Sequence, residues 1–169
     1  MAETGLIAKV EAACPGKITE SSSQHGNETV VINRDDALDV LTTLKDDPQF
    51  AFNLLADLTA VDFFGQEPRF EVVYHLQSVG LNHRLRVKIR VPEDDATVPS
   101  VSSLWKSANW LEREVWVMFG IRFADHPDLR RILMYEEFRG HPLRKDYPVQ
   151  RRQPLVEERD PVNDPWPKR

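Results

Sequence analysis

Between Arg69 and Val91 the apolar residues fall on every second position, twice over. Phe70, Val72, Tyr74 and Leu76 form one row, and Leu85, Val87, Ile89 and Val91 form the other. A period of two belongs to strands, whose successive side chains point to opposite faces. Gly80 lies between the rows, where a hairpin must turn. Both rows must face one core, and a slip of one residue would turn a whole row towards water, so the pairing register is restricted. The other face of the hairpin then carries Glu71, Val73, His75 and Gln77 on its first strand and Arg84, Arg86, Lys88 and Arg90 on its second. Pro92 and Pro99 close the hairpin and open a loop.

The flanking sequence supplies elements to cover that hairpin. Residues 4–13 suit a short helix with Leu6, Ile7 and Val10 on one side. Residues 14–29, with Pro15, Gly16, three consecutive serines and Gly26, read as a loop or an irregular edge hairpin. Thr29–Ile32 is a short β-branched strand. Asn33 is placed to cap a helix in which Ala37, Leu38, Leu41 and Leu44 recur at helical spacing, with Asp35 and Asp36 in its first turn and Pro48 as its stop. Residues 54–64 read mainly as a buried strand. A helix is expected over about 110–119, capped by Ser107 or Asn109 and ended by Gly120. The sum is an α+β chain: two layers, a small antiparallel or mixed sheet with helices on one face.

Composition changes near residue 139. Residues 139–169 hold six of the 12 prolines and eight basic against five acidic residues, net +3; residues 1–138 hold 14 basic against 22 acidic, net −8. Prolines at that density suit neither helix nor central strand. We therefore expect an α+β domain over 1–138 and an extended, basic, Pro-rich C-terminal arm over 139–169. The arm carries Leu143, Tyr147, Val149, Leu155, Val156 and Trp166, which a solvated linker does not need, and so is read as a docking element.

Several classes of chemistry are excluded. One cysteine, Cys14, makes no internal disulfide, iron–sulfur ligand set or thiolate zinc site. The closest two of the seven glycines, Gly16 and Gly26, are ten positions apart, so Gly-rich nucleotide loops and the G-x-S-x-G elbow are absent. The chain has no apolar run long enough to cross a bilayer, and its first residues lack the pattern of a secretory signal. A cytosolic protein that meets a membrane only through partners is expected.

Three constellations remain. Glu112, Arg113 and Glu114 lie among large apolar residues, with Val115, Trp116, Val117 and Met118 at their i+3 and i+4 positions. They either form a solvated face or find partners elsewhere in the fold or on another chain. His141, Arg144, Lys145, Asp146 and Tyr147 crowd one extended segment, which suits an acidic surface, a phosphate or a rigid turn held by Arg144 and Asp146. Asp125, His126 and Asp128 are a loose set of metal-type donors. The basic strand face suggests nucleic acid, but Phe70 and Tyr74 fall on the opposite side and stacking platforms need both together.

Four ordered blocks carry a resemblance: Trp110-Leu-Glu-Arg-Glu114, Met118-Phe-Gly-Ile121, His126-Pro-Asp-Leu-Arg-Arg-Ile-Leu133 and His141-Pro-Leu-Arg-Lys-Asp-Tyr-Pro148. With Leu58-Thr-Ala-Val-Asp62, Tyr74-His-Leu76 and Arg90-Val-Pro92 they resemble the 30 kDa-subunit family of proton-pumping NADH–quinone oxidoreductase, the C subunits of respiratory complex I. The family usually has an acidic residue where this chain has Val117. The resemblance implies a peripheral-arm protein with no catalytic residue, cofactor or metal of its own. FMN, iron–sulfur clusters and quinone are held by other subunits, and subunits D and B are the neighbours. The implied location is the cytoplasmic side of the inner membrane, and no nucleic acid is bound. The motif residues then read as subunit-interface candidates: Glu112, Arg113, Glu114, His126, Asp128, Arg130, Arg131, His141, Arg144, Lys145, Asp146 and Tyr147. The alternatives are a homologous subunit of a membrane-bound hydrogenase or of a ferredoxin- or F420-driven dehydrogenase, and a nucleic-acid module.

Overall fold

The computed structural model describes residues 5–150, 152 and 153. Leu155, Val156, Trp166 and the last four prolines, which the docking-arm expectation includes, lie outside the described residues, as does Arg151. Helix α1 spans Leu6–Ala13, β1 Ile18–Gln24, β2 Asn27–Ile32, α2 Ala37–Asp46 and β3 Leu54–Asp62. Then come β4 (Phe70–Ser78), β5 (His83–Val91), β6 (Thr97–Pro99), α3 (Ala108–Phe119) and β7 (Arg122–Ala124). The main sheet has the order β1-β2-β5-β4-β3; β2 and β5 run parallel and the other neighbours antiparallel. It is a mixed sheet with helices packed on one face, as expected of an α+β chain.

The hairpin register follows the alternation. Phe70 faces Val91, Val72 faces Ile89, Tyr74 faces Val87 and Leu76 faces Leu85. All eight are buried in one cluster with Val30 and Ile32 from β2, Val10 of α1, Leu41 and Leu44 of α2, and Val115 of α3. Each large aliphatic side chain buried there contributes about 1.5–3 kcal/mol. On the other face of the sheet the basic row is paired in part within the sheet itself. Lys88 meets Glu71 at 2.8 Å, and the Arg90 fork meets both Glu20 oxygens at 2.7 Å. These pairs neutralise half of the basic row and remove the main argument for nucleic acid.

The edge of the sheet and two connections sharpen or correct the expectations. Residues 14–29 contain the edge hairpin rather than a loop, with Thr19 bulged out of the β1–β2 ladder. Asn33 is not the cap of α2. The helix starts four residues later, with Asp36 at the cap position and no side-chain cap bond, while Asn33 only reaches the Asp36 carboxylate at 3.4 Å. The intervening turn is held instead by Arg34, which donates to the Asp95 side chain at 2.7 Å and its carbonyl at 3.0 Å. The loop after the hairpin is not structureless, because Thr97–Pro99 pairs in parallel with Arg122–Ala124. Helix α3 is therefore the crossover between two short parallel strands. At its start, Ser107 occupies the cap position but donates its hydroxyl to the Leu55 carbonyl of β3 at 3.2 Å, and Trp105 donates to the Phe52 carbonyl at 3.0 Å. These two bonds fix the helix against the sheet edge. No helix among the described residues is long and apolar enough to cross a membrane.

Candidate functional site

The C-terminal end of α3 is finished by groups from the 141–144 motif. A helix leaves its last carbonyls without intrahelical donors. Here Gly120 adopts φ 79°, and its N–H bonds the Trp116 carbonyl at 2.9 Å. The next three carbonyls are taken by the 141–144 segment. His141 Nδ1 donates to Val117 O at 2.9 Å, Leu143 N to Met118 O at 3.1 Å, and Arg144 Nε to Phe119 O at 2.7 Å. Because Val117 offers a carbonyl, Nδ1 must carry the proton, and burial holds the His141 pKa below its ordinary value. Gly120 is required twice over. It takes the left-handed conformation that a side chain resists, and a Cβ there would stand 2.7 Å from the His141 ring.

The same segment runs on to a buried arginine. Arg69, immediately before β4, has a side chain only 3% exposed. Its Nε and Nη2 each meet one oxygen of Asp62 at 2.9 Å, and the Asp62 side chain is 1% exposed. Nη1 reaches Glu93, and Nη2 reaches Asp146 at 2.9 Å. Asp62 also accepts the Lys145 N–H at 2.8 Å. The guanidinium lies against the rings of Phe64 and Phe70, and Arg144 lies over Phe70 as well. Arg69 hydrogen bonding holds both the Asp62 and the Asp146 carboxyls below the usual carboxylate range.

A second polar node lies inside the α3 crossover. Glu112 and His126 have side chains that are 0% exposed. Glu112 accepts the Ser100 hydroxyl at 2.7 Å and the Val101 N–H at 2.7 Å, tying α3 to the end of β6. His126 Nδ1 accepts the Asp128 N–H at 3.0 Å, so its Nε2 bears the proton and donates to the Asn109 carbonyl at 3.1 Å; the nearer Glu112 oxygen is 3.8 Å away. Burial pushes the Glu112 pKa up to about 7, against the lowering effect of its two donors. Tyr74 points into the same core, and its buried hydroxyl has no hydrogen-bond partner among the described residues.

The twelve interface candidates thus divide. Glu112, His126, His141, Arg144 and the Asp146 carboxylate are engaged within this chain. Arg113 is buried, donates to the Arg130 carbonyl at 3.0 Å and stacks on Trp110. Asp128 and Arg130 form a surface fork, and Arg131 lies over Trp116. Glu114 and the Lys145 side chain are exposed. Tyr147 stacks with Phe138, and its hydroxyl accepts from Gln153, which also bonds the Arg139 backbone in both directions. Asp62, Arg69, Glu93 and Ser100 were not singled out as site residues by the sequence. The only signal was an aspartate ending one buried strand and an arginine starting the next. Around this framework Trp110, Leu133, Tyr135, Leu143 and Val149 are exposed, mostly on the irregular chain after β7. No group of three or more His, Cys, Asp or Glu among the described residues is placed to hold a metal ion.

A family described as the respiratory-chain NADH dehydrogenase 30 kDa subunit matches residues 30–153. The chain belongs to this family. It is 47% identical over 152 residues to the NADH-quinone oxidoreductase C subunit of Geobacter metallireducens, covering 89% of this chain and 93% of the relative. Identity to the C subunit of Citrifermentans bemidjiense is 45% over 151 residues, covering 89% and 92%. Among solved structures, the trypsin-resistant fragment (1–134) of Nqo5 superposes with TM-score 0.64 at 35% identity, covering 73% of this chain and 96% of that one. A chain of the membrane-bound sulfane sulfur reductase, an archaeal respiratory membrane complex, superposes with TM-score 0.72 at 28% identity, covering 86% and 85%. The hydrogenase and ferredoxin- or F420-dehydrogenase alternatives are not favoured, because these NADH-quinone oxidoreductase relatives match at 45% and 47% identity. The 30 kDa subunit is a component of NADH–quinone oxidoreductase, an enzyme complex of the respiratory chain. Val117, on the inner face of α3, is fully buried in the core.

Proposed function

We propose that this 30 kDa subunit is a cofactor-free scaffold of the peripheral arm, on the cytoplasmic side of the inner membrane, seated beside subunits D and B. In this reading NADH oxidation through FMN, transfer along iron–sulfur clusters and reduction of quinone are carried by other chains. This chain contributes shape and docking area, and its membrane contact is through the complex. Residues 1–138 form the body and 139–169 the docking arm, with 141–146 anchored on the body and the remainder reaching a partner.

One observation carries this reading. The chain after β7 is irregular, yet its backbone is fixed at several points and its apolar side chains Leu133, Tyr135 and Leu143 are turned outward. Exposed apolar groups on a pre-ordered segment bind with little further ordering, and aromatic anchors commonly dominate such interfaces. The titratable residues of the motifs, by contrast, are largely engaged in capping and internal pairing, which leaves no aligned nucleophile, base or acid among the motif residues.

The test is affinity purification of the tagged chain from native membranes, with identification of the chains that come with it. Flavin- and cluster-bearing chains of NADH–quinone oxidoreductase are expected. Recovery of hydrogenase chains instead would overturn the reading, as would stoichiometric iron or flavin bound to the purified protein alone.

A further inference from the structure

We propose that Arg69 is a positioning residue for docking: through Asp62 and Asp146 its guanidinium fixes residues 145–147, so that the Tyr147 ring stacks on Phe138 and, through it, sets the exposed Tyr135 ring offered to the partner. This rests on the docking reading above. The motif is anchored at two places with different chemistry. The first, at the end of α3, uses His141, the Leu143 N–H and Arg144, and holds the start of the segment. The second is the Arg69 node, where Asp62 accepts the Lys145 N–H and Arg69 donates to the Asp146 carboxylate. With only the first anchor, the chain after Arg144 would be free to pivot. With both, Tyr147 is placed against Phe138, and Gln153 closes the turn onto Arg139 and Tyr147.

Arginine is needed at this position for a geometric reason. Asp62 is met edge-on by Nε and Nη2, while the remaining N–H directions reach Glu93 and Asp146. A planar fork makes those contacts at once, and a lysine ammonium does not. Phe64 and Phe70 hold the guanidinium plane, with ring centroids 4.9 Å and 5.0 Å from its carbon. Three parts of the chain converge here: the end of β3, the loop after β5 and the motif. The body of the domain thereby sets where the arm begins.

Arg69→Ala would strand the buried Asp62 and unfold the site, so the informative variants are Asp146→Asn, Asp146→Glu and Arg69→Lys in the full chain. The readout is amide exchange at Lys145 and Tyr147, with the hairpin amides as the internal control, beside incorporation into the complex in membranes. Asp146→Asn and Arg69→Lys are expected to lower protection at those two amides by about fivefold, the equivalent of a partly exposed ion pair. The hairpin stays protected, and incorporation falls. Asp146→Glu keeps the charge and restores most of both. Unchanged protection in both Asp146→Asn and Arg69→Lys would overturn the proposal, as would full incorporation despite lost protection. The docking reading fails separately if Tyr135→Ala and Leu143→Ala, with protection intact, incorporate like wild type.

Discussion

Substituting Gly120 by alanine tests the joint between α3 and the 141–144 segment. Two costs add. An L residue at φ 79° is strained by about 1–2 kcal/mol. The new Cβ would also lie 2.7 Å from the His141 Cδ2 and Nε2 atoms. That ring is not free to swing, because its Nδ1 donates to the Val117 carbonyl at 2.9 Å. Moving it leaves a helix-end carbonyl unpaired, a loss of roughly 1–2 kcal/mol. The expected total is about 2–4 kcal/mol, read from urea midpoints of the purified full chain at unchanged slope. Gly80→Ala is the control. Nothing lies within 4 Å of its added carbon and its φ is not left-handed, so its effect should stay within about 0.5 kcal/mol. The decisive measurement is a double-mutant cycle with His141→Ala. Without the imidazole only the backbone strain remains, so Gly120→Ala should cost about 1–2 kcal/mol less in that background. Additivity of the two substitutions would refute the close-approach argument, and equality of Gly120→Ala with Gly80→Ala would refute the whole account of this cap.

Three further outcomes follow from the core. Glu112, with its pKa pushed up to about 7, keeps a proton that the unfolded chain releases, so stability falls as pH rises from about 4.5 to 7, by up to about 3 kcal/mol. Glu112→Gln should flatten that slope in urea midpoints taken across this range, and an unchanged slope would show that Glu112 is ionised in the fold. Tyr74→Phe removes a buried hydroxyl that has no partner among the described residues, and should leave the thermal midpoint unchanged or raise it by about 2–4 °C. A clear drop in the midpoint would reveal a partner for that hydroxyl. Phe70→Ala should cost about 3–5 kcal/mol, because the ring fills the core and also carries the guanidinium groups of Arg69 and Arg144. A loss under about 1 kcal/mol, measured the same way, would show the site collapsing around the gap.

What the sequence disclosed was local, and what it hid was carried by distant pairs. The β4–β5 hairpin was legible because one alternation states both the element and its register. The C-terminal end of α3 was legible because Gly120 has a single conformational use there. The start of α2 was not: Asn33 has the right chemistry for a cap, but Arg34 is drawn 61 positions away to Asp95 and a turn intervenes. Strands β6 and β7 are three residues each and exist only because α3 crosses between them, so no window of sequence reports them. Arg69 was hidden for the same reason. Its partners stand 7, 24 and 77 positions away, and nothing at position 69 alone marks a buried cation.

The crowding of His, Arg, Lys, Asp and Tyr between residues 141 and 147 invites a ligand-binding interpretation, since such side chains recognise acids and phosphates. The geometry assigns them a different task. His141 and Arg144 complete a helix end, and Asp146 completes a guanidinium. The groups that bring charge to the segment are therefore largely turned towards its own body, where desolvation and fixed partners make them costly to withdraw. Leu143 faces outward between them, with Leu133 and Tyr135 exposed earlier in the same irregular run. A partner that covers this region gains apolar area and meets a backbone already set in place, without first having to break the ion pairs beneath it. Affinity in such a surface depends on the placement of a few anchors more than on net charge. Salt should therefore weaken this joint less than the basic composition of residues 139–169 suggests, and loss of either anchor of the motif should weaken it more than loss of an exposed arginine. Pull-down of the complex by the tagged chain across a salt series reads both, and a steep salt dependence would refute the argument.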